Sequence, residues 1–566
     1  MPSLVQSWAL PAALLAIVNI TATWYNLVSQ EVPQPYLDEY FHVPQAKKFC
    51  KGDYSWDPKI TTPPGLYLIT KLLEPFLGCE TSSLRTLNAI ALCIICPLSY
   101  GILRMLRTRT TPGQLGQAVN KTTTEQPALD DQTVVHDAHS ALNIALFPPL
   151  FFFSALYYTD ITSTLVVLLS YSALLKKQSP AGSVLENINT VFIGAMALLF
   201  RQTNIFWVAV FPVGLAVIDA LKKSGPPSNG PTKEGVVSAL SKSWSECVIY
   251  DCSVNEAEPQ DYVLLVLSTA IVAVRKPLLV LQVAVPYFVL LILFAGFVAW
   301  NGSVVLGDKS AHTATVHLPQ MLYFWPYIVF FSLPLVIGLL FKPMAPFLPK
   351  QLKTICNDGS VDVPKSTVPG LLMPGLFSVG ALAAVHFNTI VHPYTLADNR
   401  HFVFYVFRII RRHPAIKYLA VPVYTICATL TLQSLCPSPV SKKEAKQKHG
   451  VRPTSDWSNR DRSNRQPCQV SFITIWLVTT TLSVVSAPLV EPRYFIIPWI
   501  IWRLHVPSAP ASLSRGTPTN TKAAYDLRLV FETLWLLAIN AAVSYMFLYR
   551  GFLWPSEPDS IQRFLW

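Results

Sequence analysis

Half of the 566 residues are hydrophobic (51%), only 13% are charged, and the mean hydropathy is +0.38. These values exclude a protein with one soluble core and predict an all-α polytopic membrane protein, because they require repeated long apolar runs. The net charge of +12 comes from basic residues in loops beside apolar runs, which indicates membrane topology and argues against nucleic-acid binding. The sequence contains no P-loop, no glycine-rich dinucleotide motif and no His/Cys zinc spacing.

The first two apolar runs set the predicted orientation. Residues 4–28 contain no charged residue and no small-residue cleavage pattern, so we interpret them as a retained transmembrane helix. The second run, residues 84–103, is followed directly by Arg104 and Arg107. Because cytosolic loops are enriched in arginine and lysine, these cations predict that the loop 30–83 lies on the opposite, lumenal face.

Charged and aromatic residues concentrate in the loop 30–83, where Asp38 and Glu39 stand side by side on a proline-rich turn. A carboxylate beside a membrane can be tuned to take a proton from an alcohol, so this pair is a candidate for general-base catalysis. Trp56 offers a ring face suited to a sugar. The alternative is that Asp38 and Glu39 only cap a short interfacial helix.

Two pairs of cysteines lead to different predictions. Cys50 and Cys79 flank the acidic segment on the predicted lumenal, oxidising side, so a disulfide between them is one possibility that spacing alone does not decide. Cys93 and Cys96 form a CxxC motif inside an apolar run, where a redox or zinc role is not expected.

Eleven further apolar runs alternate with polar connections. They cover residues 141–158, 161–175, 188–200, 205–221, 277–299, 321–341, 370–391, 418–433, 469–488, 494–506 and 529–549. Together with the first two they predict about twelve to thirteen spans, given that roughly 20 apolar residues cross a bilayer. Two connections on the predicted cytosolic side are a flexible loop, 222–262, and a basic loop, 434–467.

Asn301 begins a glycosylation sequon at the predicted lumenal end of the run 277–299. Two other sequons are predicted to be unusable, because Asn19 lies within a helix and Asn120 lies in the cytosol. The position of Asn301 therefore agrees with the orientation that the arginines predict.

The turns on the predicted lumenal face carry carboxylates and cations at membrane depth, where ionisable groups are costly and are usually kept for a site. These polar residues are Asp38, Glu39, Asp160, Arg201, Gln202, Asn204, His392, Tyr394, Asp398, Asn399, Arg400, His401, Glu491 and Arg493. Arginine binds phosphate oxygens through paired hydrogen bonds, so the cations predict a site for a lipid phosphate that carries a sugar. The alternative for each arginine is an anchor at the membrane interface.

One stretch, residues 392–414, breaks the charge rule. Arg400, Arg408, Arg411 and Arg412 all fall on the predicted lumenal face. Either the topology shifts here or these cations are retained for anionic partners.

Several long segments resemble one known family. They are YLDEYFHVPQAKKFC and WDPKITTPPGLYL in the first loop, LYYTD at 156–160, LFRQTNIFWV at 199–208, HPYTLADNRHFVFYVFR at 392–408 and EPRYFIIP at 491–498. The chain resembles the dolichyl-phosphate-glucose-dependent alpha-1,2-glucosyltransferases, glycosyltransferase family 59 of the GT-C superfamily. The resemblance spans nearly the whole chain, although the loops near 110–135, 224–260 and 437–466 match poorly.

The resemblance implies a single GT-C membrane domain over residues 1–566, with the loop 30–83 as a catalytic loop in the lumen of the endoplasmic reticulum. It implies inverting transfer of glucose from dolichyl phosphate glucose to Glc2Man9GlcNAc2 on dolichyl diphosphate. It implies neither a nucleotide nor a metal nor any other cofactor, since the lipid phosphate is already the leaving group.

The resemblance also implies roles for individual residues. The base is Asp38 or Glu39, and we favour Asp38 as the base with Glu39 as its orienting partner. The candidates for binding the donor phosphate or sugar are Arg201, Gln202, Asn204, His392, Tyr394, Arg400, His401 and Arg493. The candidates for binding the acceptor are His42, Trp56, Asp57, Tyr158 and Asp160.

Two other functions remain open at this stage. A mannosyltransferase that uses dolichyl phosphate mannose would keep the fold and change the sugar. A transporter of lipid-linked sugars would also contain many spans with intramembrane charges, but it should hold those charges near the middle of the membrane. Here the polar residues gather on one face, and the sequence shows no internal repeat.

Overall fold

The computed structural model describes residues 4–109, 126–226, 235–254, 256–309, 315–341, 369–391, 393–436, 468–487, 489–508 and 525–566. Within these ranges the chain is almost entirely helical, which confirms the all-α class. The helices are α1 (Leu4–Glu31), α2 (Glu39–Cys50), α3 (Gly65–Leu77), α4 (Thr81–Arg109), α5 (Gln126–Ala145), α6 (Pro148–Phe153), α7 (Thr159–Lys176), α8 (Val184–Leu198), α9 (Phe211–Lys223), α10 (Val236–Glu246), α11 (Pro259–Arg275), α12 (Pro277–Asn301), α13 (Pro319–Phe331), α14 (Leu333–Phe341), α15 (Pro369–Phe387), α16 (Pro393–Ala397), α17 (Phe402–Ile410), α18 (Ile416–Ser434), α19 (Val470–Val484), α20 (Ile496–His505) and α21 (Leu527–Tyr549). A π-helical turn (Phe206–Val210) precedes α9, and a 3₁₀ turn (Pro492–Phe495) precedes α20.

Four helices of the described ranges, α1, α4, α12 and α21, are each long and apolar enough to cross a membrane. Helices α13 and α14 together form a fifth candidate, although they meet at an angle of 95°. The polytopic membrane class is therefore confirmed. The predicted count of about twelve to thirteen exceeds these candidates, because the chain divides several apolar runs into shorter helices.

The predicted helix 141–158 shows why a run is divided. Helix α5 ends at Ala145, and the consecutive prolines Pro148 and Pro149 start the six-residue helix α6. Proline lacks a backbone N–H and fits the first turn of a helix, so it favours a new start here. The chain then turns again before α7 and places Tyr157 and Tyr158 in an extended connection.

The main core lies where α1, α4, α5 and α7 pack side by side. Trp24 of α1 donates from Nε1 to the Phe152 carbonyl at 3.0 Å, and the ring of Phe147 stacks on Trp499 with centroids 3.8 Å apart. One buried ion pair joins α20 to α21, with both nitrogen–oxygen distances between Arg503 and Glu532 at 2.7 Å. These contacts bind helices that are far apart in sequence into one bundle.

The predicted lumenal loop folds as a small layer on one end of the bundle. Helices α2 and α3 enclose a second apolar cluster that includes Val43, Leu66 and Tyr67. A disulfide joins Cys50, at the end of α2, to Cys79, just before α4. The disulfide that the sequence left open is thus present in the structure.

The segment 222–262 differs from the predicted flexible loop. It contains helix α10 and the start of α11, and Ile249 and Cys252 are buried in an apolar cluster with Val470. The sequence signal was weak because these apolar residues are few and contact partners on other helices. Within the other predicted cytosolic loop, residues 437–467 lie outside the described ranges.

A β-hairpin follows α21 and was not predicted. Its strands, β1 (Phe552–Trp554) and β2 (Glu557–Gln562), pair antiparallel with Phe552 opposite Gln562. The hairpin returns the chain to the first loop, where the hydroxyl of Tyr36 accepts from the Arg563 N–H at 2.7 Å. It therefore forms part of the wall around the acidic turn.

Candidate active site

The acidic turn between α1 and α2 has an unusual backbone. Leu37 has a φ of 51°, a left-handed conformation that a branched residue rarely adopts. The residue before it, Tyr36, donates its hydroxyl to the Arg563 carbonyl at 2.9 Å and is thereby fixed to the hairpin. The turn is held from both sides, and this conformation separates the surroundings of Asp38 from those of Glu39.

Glu39 is fully buried and its carboxylate is fully used. It accepts from Arg85 at 2.8 Å (Nε) and 2.6 Å (Nη2), and from the backbone N–H groups of Tyr36 at 3.0 Å and Tyr157 at 2.7 Å. Arg85 is only 1% exposed, so this is a buried, two-point ion pair. Four donors leave Glu39 no room to accept a substrate proton, and its role in the structure is to fix the turn.

Asp38 has the opposite surroundings. Its side chain is 40% exposed, and Oδ2 accepts from Arg493 Nη1 at 2.6 Å. Its backbone N–H donates to the hydroxyl of Tyr158 at 3.3 Å. Burial tends to raise the pKa of Asp38, but the charge and hydrogen bond of Arg493 together with the nearby histidines outweigh it, so the pKa lies below its usual value. The carboxylate is therefore ionised, oriented and reachable, as a general base must be.

Alternating charges extend from Asp38 into the bundle. Arg493 donates through Nε and Nη2 to Glu491, at 3.1 and 2.7 Å, and its Nη1 lies 3.8 Å from Asp160. Asp160, which is 3% exposed, is also paired with Arg201. Elements far apart in sequence thus join four of the polar residues predicted on the lumenal face, Asp160, Arg201, Glu491 and Arg493, into one network with Asp38.

The two arginines differ in what they can still bind. The donors of Arg493 face Glu491 and Asp38, and its guanidinium also lies over the ring of Tyr158, 5.4 Å from the centroid. The side chain of Arg201 is 21% exposed and, within the described ranges, donates only through Nη1. Arg201 consequently has more donors left for an anion, whereas the donors of Arg493 are already engaged with Asp38 and Glu491.

The stretch around Arg400 packs on the hairpin. Arg400 donates to Asp398 through Nε and Nη2 and to Gln562 Oε1 at 2.9 Å, and it lies over the ring of Trp554. His401 shares a hydrogen bond of 3.0 Å with the Trp566 carbonyl. Two further predicted donor ligands cannot be placed, since His392 and the Tyr394 side chain lie outside the described parts of the structure.

Two other predicted donor ligands have local partners. Gln202 donates to the Thr61 carbonyl at 2.7 Å, and the buried Asn204 donates to Ser163 Oγ at 2.9 Å and to the Ala197 carbonyl at 2.7 Å. Gln202 thus ties the α8–α9 turn to the first loop, while Asn204 holds α7 and α8 together. Neither contact brings an amide next to Asp38.

Of three further residues predicted to bind the acceptor, His42 lies beside Asp38, whereas Trp56 and Asp57 have partners within the first loop. His42 shares a 2.6 Å hydrogen bond with the Tyr67 hydroxyl, and burial lowers its pKa, which favours the neutral ring. Trp56 donates to the Ile60 carbonyl at 3.2 Å and packs within the loop cluster. Asp57 accepts from the Lys59 N–H at 2.9 Å and shapes a local turn.

Sequence reasoning missed three parts of the site: Arg85, the Tyr36 hydroxyl and the hairpin. Arg85 had one available signal, since it is an isolated cation at the start of an apolar run and such a charge needs a partner. Tyr36 and the hairpin had none, because their partners are distant in sequence: the Tyr36 hydroxyl contacts Arg563, 527 positions away, and Gln562 contacts Arg400, 162 positions away. Among the described residues, no group of three or more His, Cys, Asp or Glu side chains could hold a metal ion.

The fold and the site define a polytopic membrane protein with a carboxylate–arginine centre at one end of its helices. Comparison with known proteins identifies the family: the chain belongs to the DIE2/ALG10 family, whose model matches residues 32–504. No solved structure matches the chain.

Curated relatives match over essentially their full length. One from Aspergillus fumigatus is 38% identical, with 100% of this chain and 98% of the relative covered. Those from Mus musculus and Homo sapiens are 30% and 28% identical, with 99% of both chains covered in each case. All three carry the name Dol-P-Glc:Glc(2)Man(9)GlcNAc(2)-PP-Dol alpha-1,2-glucosyltransferase.

Proposed function

We propose that this protein transfers glucose from dolichyl phosphate glucose to Glc2Man9GlcNAc2 on dolichyl diphosphate, forming an alpha-1,2 linkage with inversion. The names of the relatives support the donor, the acceptor and the linkage. The observation that carries the mechanism is that Asp38 is ionised and 40% exposed while its neighbour Glu39 is buried and fully hydrogen-bonded.

The proposed reaction has one proton transfer and one displacement. Asp38 takes the proton of the acceptor hydroxyl, whose oxygen attacks the anomeric carbon of the donor glucose. The bond between that carbon and the phosphate oxygen breaks, and dolichyl phosphate leaves with the electron pair. Arg201 stabilises the charge that develops on the phosphate. The reaction as proposed needs no nucleotide or metal, because the donor already carries its leaving group.

We place this reaction on the lumenal side of the endoplasmic reticulum membrane. The disulfide between Cys50 and Cys79 lies in the same loop as Asp38, and such bonds persist in oxidising compartments. Arg104 and Arg107, in the last turns of α4, favour the same orientation.

The test uses purified full-length protein with labelled dolichyl phosphate glucose and, separately, dolichyl phosphate mannose. We expect glucose transfer alone, and Asp38→Asn should lower kcat by about 10²- to 10⁴-fold, the usual contribution of a general base. The matched control is Glu80→Gln, which removes an exposed carboxylate next to the same loop and should leave kcat unchanged.

Each alternative predicts a different result. Transfer of mannose without glucose would overturn the proposed donor. Movement of a lipid-linked sugar across vesicles that survives Asp38→Asn, without any transfer, would instead indicate a transporter. Full turnover by Asp38→Asn would remove the proposed base.

A further inference from the structure

A second polar feature lies away from the acidic turn. Helices α13, α15, α17 and α18 enclose a cavity of about 230 Å³, which we call the α17 groove. Its walls include Tyr323, Val385, Phe407 and Tyr424, and two cations, Arg411 and Lys417, also line it. The volume is below the roughly 300–1,000 Å³ of a pocket that encloses a whole small ligand, so it suits the end of a longer molecule.

The two cations of the α17 groove have no acidic partner within the described ranges. Within the described ranges, the Arg411 side chain has neither an ion pair nor a hydrogen bond, and Lys417 has only a long contact of 3.4 Å to the Val385 carbonyl and a position over the Tyr418 ring. No acidic residue is among the groove's lining residues. Two cations without acidic partners beside an apolar cavity are complementary to an anion with an apolar tail.

The outer surface of the helices that form the groove also carries exposed apolar side chains. Phe387 at the end of α15 is 82% exposed, and Leu419 on α18 is 71% exposed. Exposed side chains of this kind on a membrane protein face lipid. An amphiphile could therefore enter the groove from the bilayer with its tail still in hydrocarbon, which a free soluble anion would not require.

The distance between the α17 groove and Asp38 indicates which of the two lipid substrates the groove can hold. His401, which precedes α17, lies close enough to Asp38 to act on it electrostatically, whereas Arg411 follows the other end of this nine-residue helix, about 13 Å along its axis. In the donor, the phosphate is bonded to the reacting carbon and must lie beside Asp38. In the acceptor, the diphosphate is separated from the reacting hydroxyl by the whole oligosaccharide.

We propose that the α17 groove binds the diphosphate and first isoprenoid units of the acceptor lipid, with Arg411 and Lys417 as the diphosphate ligands. This inference rests on the proposed function for the identity of the acceptor. It also accounts for Arg411, one of the arginines that break the charge rule on this face, because this cation is retained for an anionic substrate. The Tyr323 and Tyr424 hydroxyls, which have no hydrogen-bond partner within the described ranges, can donate to the same oxygens.

A binding experiment tests the groove without requiring turnover. Farnesyl diphosphate is titrated into purified full-length protein in nanodiscs, and the Arg411→Gln/Lys417→Gln double variant should bind it at least about tenfold more weakly. Arg408→Gln is the matched control, since Arg408 is an exposed cation on α17, three positions before Arg411, and does not line the groove. Equal binding by the double variant and the wild type would overturn the proposal.

Two further probes identify the ligand. Inorganic diphosphate should bind much more weakly than farnesyl diphosphate, and equal affinity would show an anion site with no preference for lipid. Farnesyl monophosphate should also bind more weakly. If it binds equally well and is equally sensitive to the double variant, the groove does not select the diphosphate of the acceptor.

A kinetic experiment links the groove to the reaction. In the double variant we expect the KM for the acceptor lipid to rise about tenfold, with the KM for dolichyl phosphate glucose and kcat unchanged. A rise in the donor KM alone would overturn the assignment to the acceptor. If the wild type transfers no glucose, the proposed function fails, while the binding experiment still decides whether the groove holds a lipid diphosphate.

Discussion

Glu39 pairs with Arg85 in a site closed to solvent, so we expect substitution of Glu39 to lower the stability of the protein. Glu39→Gln leaves the Arg85 charge buried without its counter-ion, which typically costs about 3–5 kcal/mol. We expect thermal unfolding in detergent at a clearly lower temperature. Glu80→Gln removes a carboxylate from an exposed pair with Lys47 and should change stability by less than about 1 kcal/mol. A Glu39→Gln protein with wild-type stability and no turnover would show instead that Glu39 is catalytic.

The pH dependence of turnover should depend on Arg493. Burial raises the pKa of Asp38, while Arg493 and the nearby histidines lower it below the usual value, so the base is ionised at neutral pH. Its contribution to folding stability is likewise present above the unfolded-state pKa and is lost as the pH falls through the folded one. Arg493→Gln removes both the charge and the hydrogen bond with which Arg493 lowers the pKa of Asp38, so that pKa rises and the acid limb of kcat/KM moves to higher pH.

The measurement is a profile of kcat/KM against pH for the wild type, Arg493→Gln and Arg408→Gln. Arg408 is an exposed arginine on α17 and controls for the loss of one positive charge. We expect its profile to overlay that of the wild type. An acid limb that stays in place in Arg493→Gln would contradict the assignment of Asp38 as the base, whatever the change in the maximum rate.

The sequence identified the acidic pair but could not assign a role to each member from the residues alone. Both are carboxylates on one turn, and what separates them is Arg85, 46 positions away, and the Tyr157 N–H, 118 positions away. The residues next to Asp38 and Glu39 in the sequence do not reveal partners that are this distant in the chain. The same reason explains why Asn204 looked like a ligand: its polarity is visible in the sequence, but its partners within the bundle are not.

Among the elements, the layer of α2 and α3 depends on the disulfide between Cys50 and Cys79. The bond spans 29 positions, and closing a loop of that length stabilises it by about 3–4 kcal/mol in the chain-entropy account. Cys50→Ser/Cys79→Ser should therefore open the layer more often, and limited proteolysis of this loop should accelerate by on the order of 100-fold. Cys436→Ser, at a cysteine outside this disulfide, is the control. Equal proteolysis of both variants would contradict this account.

Long uninterrupted apolar runs were predicted well. Helices α1, α4 and α12 agree with the predicted spans to within six residues, because each run is apolar over about 20 positions. The single internal prolines Pro11, Pro97 and Pro286 do not divide these helices. The bend between α13 and α14 was not predicted, since it lies within one apolar run. The hairpin was not predicted either, because its strands are short and it is placed by contacts with Tyr36 and Arg400.

At the scale of the whole molecule, the described contacts place the Asn301 sequon on the same face as the acidic turn. The segment after α12 is bonded to the first loop: the Leu306 N–H donates to the Thr61 carbonyl at 3.2 Å, and the Asp308 N–H to the Pro58 carbonyl at 2.7 Å. Both regions must therefore face the same compartment. A glycan in either region would report the side of the membrane on which the site lies.

The exposed part of the first loop allows a direct test of that side. Asp53→Asn places an asparagine two residues before Ser55 and so creates a sequon near Asp38, with a substitution that preserves the oxygen accepting from the Ser55 N–H. If the loop is lumenal, this variant expressed in eukaryotic cells should gain one glycan, seen as a mobility shift that a glycosidase reverses. Asp53→Gln, which creates no sequon, should show no gain. The native sequon predicts a second shift that Asn301→Gln abolishes. A loop that faces the cytosol would leave Asp53→Asn unmodified, and Asp38 would then lie on the wrong side of the membrane for the proposed reaction.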